Sequence, residues 1–152
     1  MAGKHDFTPD EWATMQRALL GAPLLVAVAD GGRTDLLQEL AAIRDRLRDV
    51  REGHGSQLVE ELADVAGAHT GFSAGMTRAE VEAPALEALR VAADLLQFKA
   101  PDEVDSFKEF VVELSTRTAA AARSHLFGLA GPRVSEAEAG ALDRIKRALD
   151  LL

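Results

Sequence analysis

Apolar residues recur every three or four positions along nearly the whole chain, the period that places side chains on one face of an α-helix. Two series show this most clearly. They comprise Leu36, Leu40, Ile43, Leu47 and Val50 in the first, and Val104, Phe107, Val111, Leu114, Thr118, Ala121 and His125 in the second. No stretch between turn signals alternates apolar and polar residues by two, as a half-buried strand does. The pattern therefore predicts an all-α protein.

Short motifs mark where several helices begin. In "FTPDEW", Thr8 is expected to cap a helix, Glu11 to bond back to the cap, and Phe7 to pack on Trp12. Pro9 suits the first helical position, where its missing N–H removes no helical bond. Three further starts of this kind lie at Thr77, Pro101 and Ser135.

These signals together predict six helices. They cover residues 9 to 29, 34 to 52, 57 to 67, 78 to 98, 102 to 126 and 136 to 151. Because the first is apolar all round from Ala18 to Ala29, it is expected at the centre. Pro23 and Pro84 each remove a backbone donor and should kink or split the helices that contain them. The first helix can therefore consist of two shorter helices on either side of Pro23. We expect residues 1 to 152 to form one domain, a bundle of six to seven helices around a buried, Pro-kinked first helix.

Composition removes several classes of function. The 152 residues include no cysteine, which excludes disulfides, iron–sulfur clusters and thiol nucleophiles. A net charge of −8 disfavours nucleic acid as a partner. The uncharged run between Arg17 and Asp30 is twelve residues, fewer than the roughly 20 that span a bilayer, so no membrane span is predicted. Since "MAGKHDFTPDEW" lacks an apolar signal core, we expect a cytoplasmic protein.

The candidate catalytic motifs lack the sequence context that their chemistry requires. The segment "GFSAG", residues 71 to 75, matches the nucleophile pattern G-x-S-x-G around Ser73, but a helical pattern precedes it where a strand is needed. The four histidines, His5, His54, His69 and His125, lack the spacing of metal ligands. His125 is interpreted as a residue near a helix end. The sequence thus predicts a non-enzymatic protein.

One stripe of carboxylates follows the predicted fifth helix. It consists of Asp102, Asp105, Glu109 and Glu113. Steps of three and four place these residues on the side opposite Phe107 and Val111. Such a stripe is usually a hydrated surface, although two of its carboxylates can also bridge a divalent cation.

The stretch "LLVAVADGGRTDLLQEL", residues 24 to 40, contains a candidate metal loop. The simpler interpretation is a bend, in which a glycine ends the first helix and Thr34 caps the next. An EF-hand register starting at Asp30 fails because Ala41 stands where a bidentate Glu is required. The alternative is a cation site with oxygen ligands from Asp30, Asp35 or Glu39.

Both ends of the chain resemble a known family. "LLVAVADGG" and "GPRVSEAEAGALDRIKRALDLL" are similar to the two ends of TerB-like tellurite-resistance proteins, which are all-helical bacterial domains. With "FTPDEW" and "KAPDEVDSFKEFV", the chain also looks similar to an uncharacterised bacterial helical family of this type. The resemblance implies an all-helical fold and an acidic metal site, to which Asp30 and Glu138 correspond. Ala130 departs from it, since the family pattern has Asp there.

The resulting expectation is a soluble helical domain that acts through a protein partner or through self-association, in a role related to bacterial stress. A first alternative is a divalent-cation binder that uses Asp30, Asp35 and Glu138, with no other cofactor. A second alternative is an apolar small-molecule binder with a pocket between the first helix and its neighbours.

Overall fold

A computed structural model describes residues 2–29, 36–51, 56–65, 71–73, 75–127 and 135–152. Over these ranges the chain forms six α-helices and no strand, which confirms the all-α prediction. The helices are α1 (Pro9–Ala27), α2 (Leu36–Arg51), α3 (Gln57–Leu62), α4 (Arg78–Lys99), α5 (Val104–Phe127) and α6 (Glu136–Ala148). Short 3-10 turns at Lys4–Asp6 and Pro101–Glu103 precede α1 and α5.

The start of α1 has the predicted geometry. The Glu11 backbone N–H donates to Thr8 Oγ1 at 3.1 Å, and the Thr8 N–H donates to Glu11 Oε1 at 2.8 Å. The rings of Phe7 and Trp12 pack with their centroids 5.9 Å apart. Hydroxyls of Thr77 and Ser135 cap α4 and α6 in the same way. The capping residues therefore fix where these three helices begin.

Helix α1 lies at the centre of the bundle and packs against each of the other five helices. Its residues from Ala18 to Val26 are buried on every side, as the all-round apolar pattern predicted. Pro23 lies within the helix, which continues to Ala27, so the expectation that α1 splits into two pieces is wrong. Pro23 removes only its own bond to the Leu19 carbonyl, and the packing around the helix maintains the neighbouring turns.

Small residues allow α1 and α4 to approach each other closely. A Cβ atom added at Gly21 would lie 3.0 Å from the Ala85 Cβ and 3.0 Å from Phe72 Cζ. Ala18 and Ala22 on α1, with Ala88 on α4, are also buried in the core. This crossing leaves no room for a side chain at position 21 without displacement of a neighbour.

Several predicted helix ends differ from the structure: the first helix ends at Ala27 rather than at 29, and the sixth at Ala148 rather than at 151. The third helix ends at Leu62 rather than near residue 67, because the buried Gln16 amide donates to the carbonyls of Leu62 and Asp64 just past its last turn. The fifth helix begins at Val104 rather than near 102, since Pro101–Glu103 adopts the 3-10 form.

The apolar series of α2 and α5 face inward as predicted. All five named positions of α2 are buried, as are Val104, Phe107, Val111, Leu114 and Thr118 of α5. Ala121 is half-buried. The opposite side of α5 is left to solvent.

None of the helices in the described ranges is long and apolar enough to cross a membrane.

Candidate docking surface

The predicted metal ligands are only partly within the described residues. Asp30 and Asp35 lie outside them, as does Thr34, the expected cap of α2. Glu138 is described at the third position of α6, where its backbone N–H donates to Ser135 Oγ at 3.1 Å and its side chain is buried. Within the described ranges, no group of three or more His, Asp or Glu side chains is arranged to hold a metal ion. Glu39, the other candidate of the bend, is half-buried on α2.

The residues considered for catalysis are dispersed. Ser73 is exposed, and its backbone N–H lies 3.2 Å from Met76 Sδ. Gly71 and Gly75 flank it with φ of +78° and +84°, the left-handed conformation of loop residues. His5 is exposed beside Asp6, with 3.5 Å between Nε2 and Oδ1. His54, His69 and the side chain of His125 lie outside the described residues.

The outward side of α5 carries a groove of 320 Å³. Its lining consists of Asp105, Lys108, Glu109, Val112, Glu113 and Leu151, and these residues define what we call the α5 groove. Phe107 and Val111 are fully buried on the inner side of the same helix. The carboxylate stripe therefore faces solvent as the spacing predicted, and three of its four members line one groove.

The C-terminal turn places Leu151 at this groove. The Leu151 N–H donates to the Lys146 carbonyl at 2.7 Å, and the Asp150 N–H donates to the Arg147 carbonyl at 3.0 Å, which together form a Schellman motif. Asp150 takes φ +60°, the left-handed conformation that this motif requires and that glycine usually supplies. The reversal leaves Leu151 47% exposed, beside α5 rather than within the core.

Negative charge predominates along the groove. Asp105 and Glu109 are exposed and form no ion pair with another described residue. Glu113 bonds Arg117 Nη2 at 2.9 Å, one turn further along α5. Lys108 is the single cation of the lining. The groove therefore combines an apolar strip, formed by Val112 and Leu151, with a carboxylate margin.

A second polar cluster joins chain segments at the start of α1. Lys99 Nζ lies 2.6 Å from Glu11 Oε1, and the Lys4 N–H donates to Glu61 Oε2 at 2.6 Å. The bond from Lys99, followed by the bond from the Thr8 N–H, lowers the pKa of Glu11. Bonds from the Gln57 side chain and the Lys4 N–H likewise lower the pKa of Glu61. These groups are already satisfied by one another, so we assign them a structural role.

Sequence reasoning found the carboxylates of the groove but not its apolar part. The prediction extended the sixth helix to residue 151, whereas α6 ends at Ala148 and Leu151 lies in the turn that follows. The available signal was the ending "LDLL", in which an Asp stands at the left-handed position and an apolar residue follows it.

No family model, curated protein or solved structure matches this chain significantly. The resemblance to TerB-like proteins therefore stays a prediction, as does the pocket for an apolar small molecule between α1 and its neighbours.

Proposed function

We propose that this chain is a non-enzymatic helical domain that binds a protein partner, and that the α5 groove is its docking surface. The observation that carries the proposal is Leu151. The Schellman turn, with Asp150 in the left-handed conformation, holds this apolar side chain at the surface, where it lines the α5 groove together with Val112 and the exposed Asp105 and Glu109.

Exposed apolar area favours binding because its burial contributes about 25 cal/mol per Å². Among the described residues, the large exposed hydrophobic side chains are Phe98, Leu151 and Leu152. Of these three, Leu151 lines the α5 groove, and Leu152 is not part of its lining. Phe98 stands alone on the outer side of α4, where it is 86% exposed.

The carboxylates of the groove support binding better than acid–base chemistry. Catalytic pairs of carboxylates work because their environments differ, so that one stays protonated while the other is ionised. Asp105 and Glu109 share one open, solvated helix face. Such groups suit recognition of a cationic surface.

Site-specific photocrosslinking in cells tests the proposal. A benzophenone amino acid at Thr116, one turn beyond Val112 on the exposed side of α5, should give a discrete protein adduct. The same probe at Glu87, on the outer side of α4, serves as the control and should not give that adduct. L151D should abolish the adduct and L152D should preserve it. An adduct shared by both probe positions, or one insensitive to L151D, would contradict the proposal.

A second candidate function rests on the resemblance to TerB-like proteins, to whose acidic metal site Glu138 corresponds. The structure places Glu138 in the first turn of α6, where it is 3% exposed. The family resemblance supplies Asp30 as a further ligand, and Asp35 lies close to it in sequence. This combination supports a divalent-cation site at the first turn of α6.

Thermal unfolding with Ca, Mg, Mn and Zn tests the cation site. A cation at about 100 times its Kd adds roughly 2.7 kcal/mol to the free energy of unfolding and raises the melting temperature visibly. E138Q keeps the size of the side chain and should remove that rise, whereas E136Q, at the exposed start of α6, should keep it. Melting curves unmoved by all four cations would exclude the site.

A further inference from the structure

We infer that the occupant of the α5 groove is a basic amphipathic helix of a partner protein, an inference that rests on the proposed docking function. The inference rests on two features that occur together in this groove. Val112 and Leu151 give it an apolar strip, and Asp105 and Glu109 give it exposed carboxylates that form no ion pair with another described residue. A surface that complements both must present aliphatic side chains flanked by cations.

The charge of the whole chain supports a cationic occupant. The net charge is −8, so the long-range field attracts a basic partner and repels an acidic one. At short range, the groove presents the exposed carboxylates of Asp105 and Glu109 beside the ammonium of Lys108, while Glu113 is paired with Arg117. Complementary charge of this kind sets orientation and raises the association rate.

The spacing of the carboxylates fits a helix. Asp105, Glu109 and Glu113 are four residues apart, which places them about 6 Å apart along the axis and spreads them over about 12 Å. A helix that lies along α5 repeats its own residues at the same interval. Lys or Arg at i and i+4 of the partner therefore face Asp105 and Glu109, while the adjacent apolar face covers the strip.

Other common modes of peptide recognition do not fit this surface. Addition of a strand requires an open sheet edge, and the described ranges contain no strand. Polyproline recognition requires an aromatic-lined groove, and the α5 groove has no aromatic residue in its lining. An amphipathic helix in a groove is the mode that remains.

A second copy of this chain is a poorer occupant. Exposed cations lie on several helices, among them Arg90 on α4, Arg117 on α5 and Arg147 on α6, and α2 presents two of them one turn apart, Arg44 and Arg48. Its apolar residues Leu40, Ile43 and Leu47 are at most 4% exposed because they face the core of their own bundle. It can therefore supply positive charge to the groove of another copy but no aliphatic anchor.

The test uses a designed peptide and fluorescence anisotropy. The probe is a labelled peptide of about 18 residues, long enough to form a helix, built from Leu, Lys and Ala with Leu on one face and Lys along its edges. One control peptide has the same composition in scrambled order, and another has Glu in place of Lys. We expect the full-length protein to bind the first peptide saturably and to bind neither control.

Matched variants locate the binding. L151S should weaken the complex about tenfold or more, since it removes a leucine that the partner helix covers in the complex, whereas L152S should leave it unchanged. E109K should weaken it about three- to tenfold, whereas E87K on α4 should have no effect. Circular dichroism of each variant confirms that its fold is retained.

The outcomes separate this inference from the proposed function. Equal binding of the scrambled peptide, or equal effects of L151S and L152S, would overturn the amphipathic helix as occupant. Absence of peptide binding while the Thr116 adduct still depends on Leu151 would overturn the occupant alone. Loss of that Leu151-dependent adduct as well would overturn the docking function.

Discussion

Lys99 Nζ lies 2.6 Å from Glu11 Oε1 and 5.6 Å above the centre of the Phe7 ring, and so ties the end of α4 to the start of α1. Glu11 also bonds the Thr8 N–H, so one carboxylate serves both the helix cap and the contact between helices. Lys99 additionally donates to the Asp6 carbonyl at 3.4 Å. Lys99, at the end of α4, therefore holds the segment before α1 in place.

This ion pair makes stability depend on pH. Because Lys99 lowers the pKa of Glu11 in the folded state, the contribution is present above the ordinary glutamate pKa of about 4.3 and is lost as pH falls through the folded value. E11Q keeps an oxygen for the cap but removes the charge, so it should melt below wild type at pH 7. The melting temperatures of E11Q and wild type should converge at low pH.

Melting curves from pH 7 to pH 3 check this prediction. E87Q, which removes a more exposed partner of Arg90, is the control and should track wild type throughout. A constant difference between E11Q and wild type across the range would show that the charge of Glu11 is not the cause.

Gly21 should resist substitution more than Gly140. A methyl group at Gly21 would lie 3.0 Å from the Ala85 Cβ, whereas at Gly140 the nearest atom, Arg144 Nη1, is 3.6 Å away. G140A should raise the free energy of unfolding by about 0.5–1 kcal/mol through helix propensity. G21A should lower it by about 1–3 kcal/mol because the core is overpacked. Urea unfolding measures both, and equal stabilisation would contradict the close crossing of α1 and α4.

Gln16 should contribute to stability through its bonds at the end of α3. Its Nε2 donates to the Asp64 carbonyl at 3.0 Å and to the Leu62 carbonyl at 3.4 Å from a buried position. Q16M keeps the volume but leaves both acceptors without this donor, which should cost about 1–3 kcal/mol. Q97M, at an exposed site on α4, is the control. A Q16M protein as stable as Q97M in urea would indicate that water replaces the amide.

Asp150 should be suboptimal for stability. At φ +60° it occupies a conformation that glycine adopts without strain, and its charge lies at the negative end of the α6 dipole. D150G should raise the free energy of unfolding by about 0.5–1.5 kcal/mol, and D150N, which removes only the charge, should give a smaller gain. Calorimetry of wild type, D150G and D150N measures these differences in stability. A loss of stability in D150G would show that the turn depends on the Asp side chain.

Local patterns predicted those features that depend on neighbouring residues alone. Caps such as Thr8 follow from sidechain-to-backbone bonds three residues apart, and the inward stripe from Leu36 to Val50 follows from helical period. The outward position of Glu109 follows from the same period. These features do not require knowledge of the tertiary packing.

Features that depend on packing were not accessible in this way. The continuity of α1 through Pro23 depends on helices that surround it, and the early end of α3 depends on Gln16, more than forty residues away in sequence. The contribution of Leu151 to the groove depends on how α6 returns toward α5. Long-range contacts, rather than propensity, set each of these.

Backbone-amide NMR of the protein titrated with the basic amphipathic peptide tests the docking surface most directly. We expect the amide shifts that change to cluster at Asp105–Glu113 of α5 and at Leu149–Leu152, with the outer side of α4 around Glu87 unaffected. Shift changes centred on the outer side of α4 or at the Lys99–Glu11 end, or no change at saturating peptide, would contradict the assignment of the α5 groove.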